Sequence, residues 1–434
     1  MTLNGFLRSL ASVGVINLGD RIGAIVIGIF LARLLGVHDY GVYAFGMALM
    51  GMLMIPARWG QPELLLRETA TAQVAAHVYE PRAFARSAAI LLAMICFATA
   101  ALSWPIIGYF YAGQDEIRRA LYMVLLVLPA YVFLDLACFG LRGGKHVIGA
   151  AWLLTPVPNL LVLLGMCAFL IADRSDLTAL SALALRGLSL AAAAIVGWRL
   201  LMRMLPPTAK DTAPDDLRAG DRRASYAQLL RLGFPFMLLN ASSVLMSRTD
   251  VFLLGLFAQP AAVGLYNVAF QAAVLVDLGL QVSNFITTQE FARFHASGQK
   301  EALERFARQT ARISLLIGTG IFIFLAIFGK MLLGALFGAE FVPAYPVLLA
   351  LSFGKCVSLV FGEPGFILNM SGNERATVQI FGATALSNVL LCLIAIPLGG
   401  PMGAAIASGL SLMTWRLLAW RTVRKKVGVS CAVF

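Results

Sequence analysis

The stretch NLGDRIGAIVIGIFLARLLG, Asn17–Gly36, decides the fold class. It belongs to the first long apolar run, Leu7–Leu35, and about 20 such residues suffice to cross a bilayer. Runs of this kind recur along all 434 residues, which are 60% hydrophobic and only 13% charged. The mean hydropathy is +0.83, and a soluble chain would carry about 25% charged residues. The runs are continuous and do not alternate with period two, which selects helices over a barrel. The chain therefore reads as an all-α polytopic membrane protein. Yet Asp20 and Arg21 stand side by side in that first run, where each charge costs about 2.5–3.5 kcal/mol on insertion scales. The pair must face something other than lipid.

Twelve spans account for the runs. Six precede the polar stretch Arg203–Arg231: Leu7–Leu35, Val42–Leu66, Ala88–Phe110, Ala120–Leu141, Ile148–Ile171 and Leu177–Leu201. Six follow it: Leu229–Phe257, Val263–Thr288, Ile313–Leu333, Tyr345–Met370, Val378–Leu398 and Met402–Val423. The organisation expected is a six-helix lobe over 1–202, a linker over 203–228 and a second six-helix lobe over 229–434. The linker core, PPTAKDTAPDDLRAGDRR, is too polar to pack. Loops and span ends on the side of the termini hold 23 Lys/Arg, the opposite side five, and the spans six. Cytoplasmic loops carry the excess of basic residues, so both termini are expected in the cytoplasm. The net charge of +12 is then an orientation signal and a contact for anionic lipids, with no call for nucleic acid. The first run is too long for a cleaved signal and lacks a small-residue cleavage site. The halves also echo one another. GVYAFGMALMGML starts at Gly41 and GLYNVAFQAAVLV at Gly264, each after a polar-dotted helix and a short turn. Both halves start on the same side, which makes the repeat parallel.

At 100° per residue, Asn17, Asp20 and Arg21 fall within one narrow sector of span one. Span seven repeats the pattern, with Asn240, Ser243, Ser247 and Asp250 on one face and Arg248 at its edge. Arg58, Asp135, Arg186, Asp277, Lys355, Glu363 and Arg416 complete the charges inside spans. Such groups either pair as interhelical glue or line a water-filled path. Glue suits Asp135, Arg186 and Arg416, whereas the hydrated path suits the deeper Asp20, Arg21, Arg248, Asp250 and Lys355. WGQPE (Trp59–Glu63), TPVPN (Thr155–Asn159) and GEPG (Gly362–Gly365) should break their helices. The six cysteines are scattered, and the four histidines lie apart without ligand spacing, so neither a disulfide framework nor a metal is expected.

LARLLGVHDYGVYAF (Leu31–Phe45), RETA (Arg67–Ala70), LRGGKH (Leu141–His146), RTDVFLLGLFAQPAAVGLYNVAF (Arg248–Phe270) and SGNERAT (Ser371–Thr377) occur in this order over the spans. In order and spacing the chain resembles the O-antigen and exopolysaccharide flippases, within the superfamily that also holds multidrug antiporters and the lipid II flippase. The resemblance implies two six-helix lobes around a central cavity that opens alternately to each side of a bacterial inner membrane. The implied substrate is an undecaprenyl-pyrophosphate-linked oligosaccharide, moved from the cytoplasmic to the periplasmic leaflet. By helix and depth, Arg21, Arg58, Arg248 and Lys355 are the implied pyrophosphate-binding residues, since Arg forks bind phosphate oxygens bidentately. Asp20, Asp250, Asp277 and Glu363 would balance that charge or carry a coupling H+ or Na+, with Asn17, Asn240, Ser243 and Ser247 as polar lining. No other cofactor is implied. Lipids, a polymerase and glycosyltransferases of the same lipopolysaccharide-type pathway are the implied partners. A multidrug antiporter would want a more acidic path. A membrane glycosyltransferase or polymerase would want a larger outer loop than Gly36–Gly41 or Gly399–Pro401 offers, and no catalytic constellation argues for an enzyme.

Overall fold

The computed structural model describes residues 3–71, 81–171, 177–205, 225–281 and 299–434, without the side chains of 3–18, 20–22 and 170. Among the described residues every regular element is helical. The first helix, α1, runs Leu3–Arg58 and is interrupted at Gly36 (φ 70°, ψ 176°), a left-handed-side conformation that only glycine adopts without strain. This one interruption turns the first apolar run into the second. A short α2 (Gln61–Thr71) follows the break at Trp59 and Gly60. Then come α3 (Pro81–Phe110), α4 (Asp115–Gly143), α5 (Val147–Leu154), α6 (Pro156–Ile171) and α7 (Ala179–Met204). The second half holds α8 (Tyr226–Phe257), α9 (Pro260–Ala273) with a 3-10 turn over Val274–Asp277, and α10 (Lys300–Leu336). It ends in α11 (Tyr345–Leu359), α12 (Pro364–Met370) and α13 (Glu374–Lys426). Gly400 (φ 54°, ψ −131°) interrupts α13 as Gly36 interrupts α1.

Among the described residues ten helices are long and apolar enough to span a membrane. Two of them are folded at Gly36 and Gly400; the expected run Val263–Thr288 lies outside the described residues from 282 on, and the all-helical polytopic fold stands. The three breaks expected from the sequence fall where expected: α1 ends at Arg58, α5 gives way to α6 at Thr155, and α11 gives way to α12 at Gly362 and Glu363. Boundaries differ at α10, which begins at Lys300, well before Ile313. Its first turns are an amphipathic KEALERFARQTAR whose Leu303, Ala307 and Ala311 are buried.

The chain condenses into two compact units, and these do not divide at the linker. The first comprises Met1–Ile27 and Leu49–Ala241, the second Gly28–Ala48 and Ser242–Phe434. A stretch of α1 thus packs with the second unit and the first half of α8 with the first. Linker residues 206–224 lie outside the described residues.

Within the first unit, α4 is the axis, packed against α7, α2, α3 and α5. Val124, Leu128, Val132 and Leu136 of α4 are fully buried. The small residues of RGLSLAAAAIVG (Arg186–Gly197) let α7 approach closely, to the point that a Cβ on Gly187 would overlap Val127. In the second unit α11 packs against α13, α10 and α9. There Gly354 meets Gly409, a Cβ on Gly354 falling 2.9 Å from the Gly409 Cα. Large side chains such as Phe97, Leu102, Leu126, Leu188, Leu316 and Leu398 stay exposed, as contact with lipid tails requires.

Candidate functional site

The charges inside the spans sort into three situations. In the first unit Arg58, the last residue of α1, is shared between two carboxylates. Its Nη2 donates to Glu63 Oε1 at 2.7 Å, and its Nε lies 2.7 Å from Asp135 Oδ2. The Trp59–Gly60 break makes this possible, because it turns the chain and brings Glu63 of α2 back beneath Arg58. Asp135 comes from the middle of the buried α4 and is 5% exposed. Asn240 of α8 donates to the same Glu63 oxygen at 3.0 Å. Arg58 and Arg142 also lie over the Phe139 ring, at 5.4 and 5.2 Å. A part-buried arginine held between two carboxylates offers a phosphate less than a free fork. Arg186 is likewise engaged, donating to Asn159 Oδ1 on α6 at 2.7 Å.

The second unit repeats this pairing twice. Lys355 Nζ of α11 donates to Asp277 Oδ2 at 2.6 Å and lies 5.6 Å from the Phe270 ring centre. Arg416 of α13 donates to the Gly362 carbonyl at 2.9 Å, and its Nη2 lies 3.5 Å from Glu363 Oε1. The GEPG break frees that carbonyl, and the arginine caps it.

The span-seven stripe meets three different surroundings. Asn240 joins the Arg58 cluster. Ser243, Ser247 and Arg248 are exposed, and Ser247 only bonds back to the Ser243 carbonyl at 2.9 Å. Arg248 forms no ion pair among the described residues. Asp250, expected to share the open face, is instead 2% exposed. Tyr266 Oη donates to its Oδ2 at 2.6 Å, Ser408 Oγ at 3.1 Å, and the Val251 amide to its Oδ1 at 2.8 Å. Two residues of helix separate an exposed arginine from a carboxylate held by three donors. Asn17, Asp20 and Arg21 lie on α1, but their side chains are outside the described residues.

Sequence reasoning passed over Glu63, Tyr266 and Ser408. Glu63 ends the WGQPE break, and its five-residue spacing from Arg58 becomes a signal only when that break is taken as a reversal of the chain. Nothing local marks Ser408, which meets Asp250 across 158 positions.

Comparison with known proteins bears on the family and the fold. The chain is 25% identical over 390 residues to a probable low-salt glycan biosynthesis flippase of Haloferax volcanii, covering 88% of this chain and 76% of that one. Its fold is similar to a multidrug resistance MATE family transporter in an inward-facing conformation, with a TM-score of 0.75, 14% identity, and 96% and 98% of the two chains covered. It is also similar to the lipid II flippase MurJ in an inward closed conformation, with a TM-score of 0.70, 14% identity, and 95% and 87% covered. Residues 6–289 match the family model described as polysaccharide biosynthesis protein, more than half of the chain, and this multi-pass membrane protein therefore belongs to that polysaccharide-exporter family.

Proposed function

We propose that the protein is a flippase for a lipid-linked oligosaccharide, feeding the synthesis of a cell-surface polysaccharide. The substrate in this reading is an undecaprenyl-pyrophosphate-linked glycan, turned from the cytoplasmic to the periplasmic leaflet of a bacterial inner membrane, with both termini cytoplasmic. Family membership and the likeness to a probable glycan flippase support the class of cargo. The observation that carries the chemistry is Arg248. It is an exposed arginine in an apolar helix, flanked by exposed Ser243 and Ser247, and it forms no close ion pair among the described residues. An arginine left open in a membrane helix is costly unless water or an anion meets it, and its planar fork suits phosphate oxygens.

Arg21, at the corresponding depth of span one, is the proposed second contact. Arg58 and Lys355 are held by their carboxylates, so a phosphate would reach them only by displacing Glu63, Asp135 or Asp277. Asp277 and Glu363 are proposed to balance charge. Asp250 is the proposed carrier of a coupling H+ or Na+, since its three donors hold a carboxylate in a site that a cation could neutralise. A polysaccharide polymerase and glycosyltransferases remain the proposed pathway partners, and the chain itself is proposed to transport rather than catalyse.

The test is flipping of a fluorescent polyprenyl-pyrophosphate glycan in reconstituted vesicles. Arg248→Ala should lose most of the activity at normal abundance, and Arg248→Lys should keep part of it, because charge survives and the fork does not. Undiminished flipping by Arg248→Ala would sink the assignment. Efflux of organic cations without glycan flipping would favour the antiporter reading instead.

A further inference from the structure

We infer that the second unit carries a seat for an anionic phospholipid of the phosphatidylglycerol type, whose phosphate meets Arg312 of α10 and Arg424 of α13 beside the segment 427–434. The inference rests on the chain spanning a membrane and on no particular cargo.

Residues 313–329 of α10 carry no charge and are bounded by Arg312 and Lys330. These 17 residues rise about 26 Å at 1.5 Å each, close to the ~30 Å hydrocarbon core of a bilayer. Arg312 therefore stands where acyl chains give way to headgroups. One stripe of the helix crosses that level. Arg305, Gln309 and Arg312 are exposed on the water side of it, and Leu316, Ile323 and Ile327 on the lipid side. Their spacings of three, four and seven put them on a single face. A phospholipid along this face lays its tails on the apolar residues and brings its phosphate to Arg312.

A second piece of chain is drawn to the same level. α13 ends at Lys426, and Gly428 (φ 77°) turns the backbone away, after which Val429, Cys431 and Ala432 are buried. The break between α11 and α12 supplies the reason, because a helix end leaves carbonyls without partners. The Val433 amide donates to the Val360 carbonyl at 3.0 Å, and Cys431 Sγ to the Phe361 carbonyl at 3.4 Å. Arg416 takes the next carbonyl, Gly362. Arg312 Nε in turn donates to the Val433 carbonyl at 3.3 Å, which holds its guanidinium in place and leaves its two Nη groups to an outside acceptor. Phe434 is 63% exposed and meets the Trp420 ring edge-on at 5.5 Å, and Arg424 lies over that ring at 6.0 Å. The Trp420 indole donates to Ser430 Oγ at 3.3 Å, the bonded polar edge and apolar body that suit an aromatic at a membrane interface.

The charge balance selects an anion. Residues 300–312 and 421–426 hold eight basic side chains against Glu301 and Glu304. The two helix ends share one apolar cluster, in which Leu303 and Ala307 meet Val423, Val427 and Cys431, so their charges are gathered. Glu304 is engaged by Arg308 at 2.6 Å, whereas Arg312 and Arg424 form no close ion pair among the described residues. Open arginine forks match the two free oxygens of a phosphodiester. A soluble phosphate would satisfy the arginines but not the apolar face beside them, which is why the lipid is the better occupant.

The experiment uses the full chain purified in detergent and needs no transport. Short-chain phosphatidylglycerol, phosphatidylcholine of the same chain length and glycerol 3-phosphate are titrated separately, with deuterium uptake as the readout. Phosphatidylglycerol should bind about tenfold tighter than either of the others, and should slow uptake over 305–312 and 427–434. Arg312→Gln with Arg424→Gln should remove that preference. Arg199→Gln, at an exposed arginine of α7 in the first unit, should leave it intact. Equal affinity for phosphatidylcholine overturns the inference, and so does equal affinity for glycerol 3-phosphate, which would make the seat one for a free phosphate. A preference lost as fully in Arg199→Gln as in the double variant also overturns it, since attraction would then be general. Should the double variant fail to fold, the unaltered protein decides. Uptake slowed as much over the basic loop 142–146 as over 427–434 overturns the seat, whatever the cargo proves to be.

Discussion

Arg58 and Arg248 look alike in the sequence and are opposites in the structure. Each is an arginine embedded in an apolar run. Arg58 meets two carboxylates, one of them also accepting a hydrogen bond from Asn240, in a part-buried cluster of the first unit. Arg248 forms no close ion pair among the described residues and stands exposed. Depth in a span thus says that a charge needs company; only the partner says whether it is glue or a ligand. Asp250 sharpens the lesson, since it lies two residues from Arg248 yet is sealed under Tyr266 and Ser408.

The contrast breaks most readily at Arg58. Arg58→Ala leaves Glu63 and Asp135 facing one another without their cation, a loss of about 3–5 kcal/mol for a broken buried pair. Abundance and thermal stability should collapse together. Adding Glu63→Gln and Asp135→Asn should restore most of the stability, because no charge is then stranded. If Arg58→Ala is stable and only flipping fails, Arg58 belongs with Arg248 after all.

Arg248→Ala should do the reverse. No partner is stranded, so thermal stability should hold within about 0.5 kcal/mol. Losing charge-assisted bonds to a phosphate, about 1.5–3 kcal/mol, should weaken cargo affinity on the order of ten- to a hundredfold. Affinity measured by competition with a polyprenyl pyrophosphate, beside a melting curve, separates the two arginines. A melting curve displaced as far as that of Arg58→Ala would make Arg248 structural.

Lys355 and Asp277 fall between these extremes, half-buried and 2.6 Å apart. Lys355→Ala and Asp277→Ala should each destabilise, and the double variant should cost less than their sum by about 0.5–3 kcal/mol, the range for contacting pairs. Additive effects would show that the pair does not act as one unit, and would return Lys355 to the list of phosphate ligands.

What the sequence made legible was whatever depends on local rules. Apolar length marked the helices, and proline and glycine clusters marked the breaks at Trp59, Thr155 and Gly362. Pairings set by tertiary packing were not legible. Asp250 kept its place on the polar stripe but was covered by α9 and α13, whose approach no helical wheel contains. Arg33 stands three residues before the Gly36 break, and its donation to the Leu336 carbonyl at the end of α10 depends on a residue 303 positions away. The exchange of residues 28–48 and 225–241 between the compact units was hidden for the same reason. The linker is the obvious boundary by composition, whereas the units are set by which backbones meet, Gly41 with Gly264 and Gly60 with Gly233.

Asn240 makes the smallest and most pointed test of the comparison. By the stripe it is a polar lining residue beside Ser243; by its contact it belongs to Arg58, since its Nδ2 donates to Glu63 Oε1. Asn240→Ala removes that one bond, and interhelical hydrogen bonds in membranes average about 0.6 kcal/mol and reach about 1.7. Glu63 keeps its arginine, so no charge is stranded and the penalty stays at this level. The melting temperature should fall slightly, and flipping by the protein that remains folded should be close to normal. Asn240→Asp should be worse than Ala, because a third carboxylate would crowd Glu63 and Asp135 around one guanidinium. If Asn240→Ala instead abolishes flipping with an unchanged melting curve, Asn240 touches the cargo. The first half of α8 would then line the path with Arg248, and the boundary between glue and ligand would lie on the near side of Glu63.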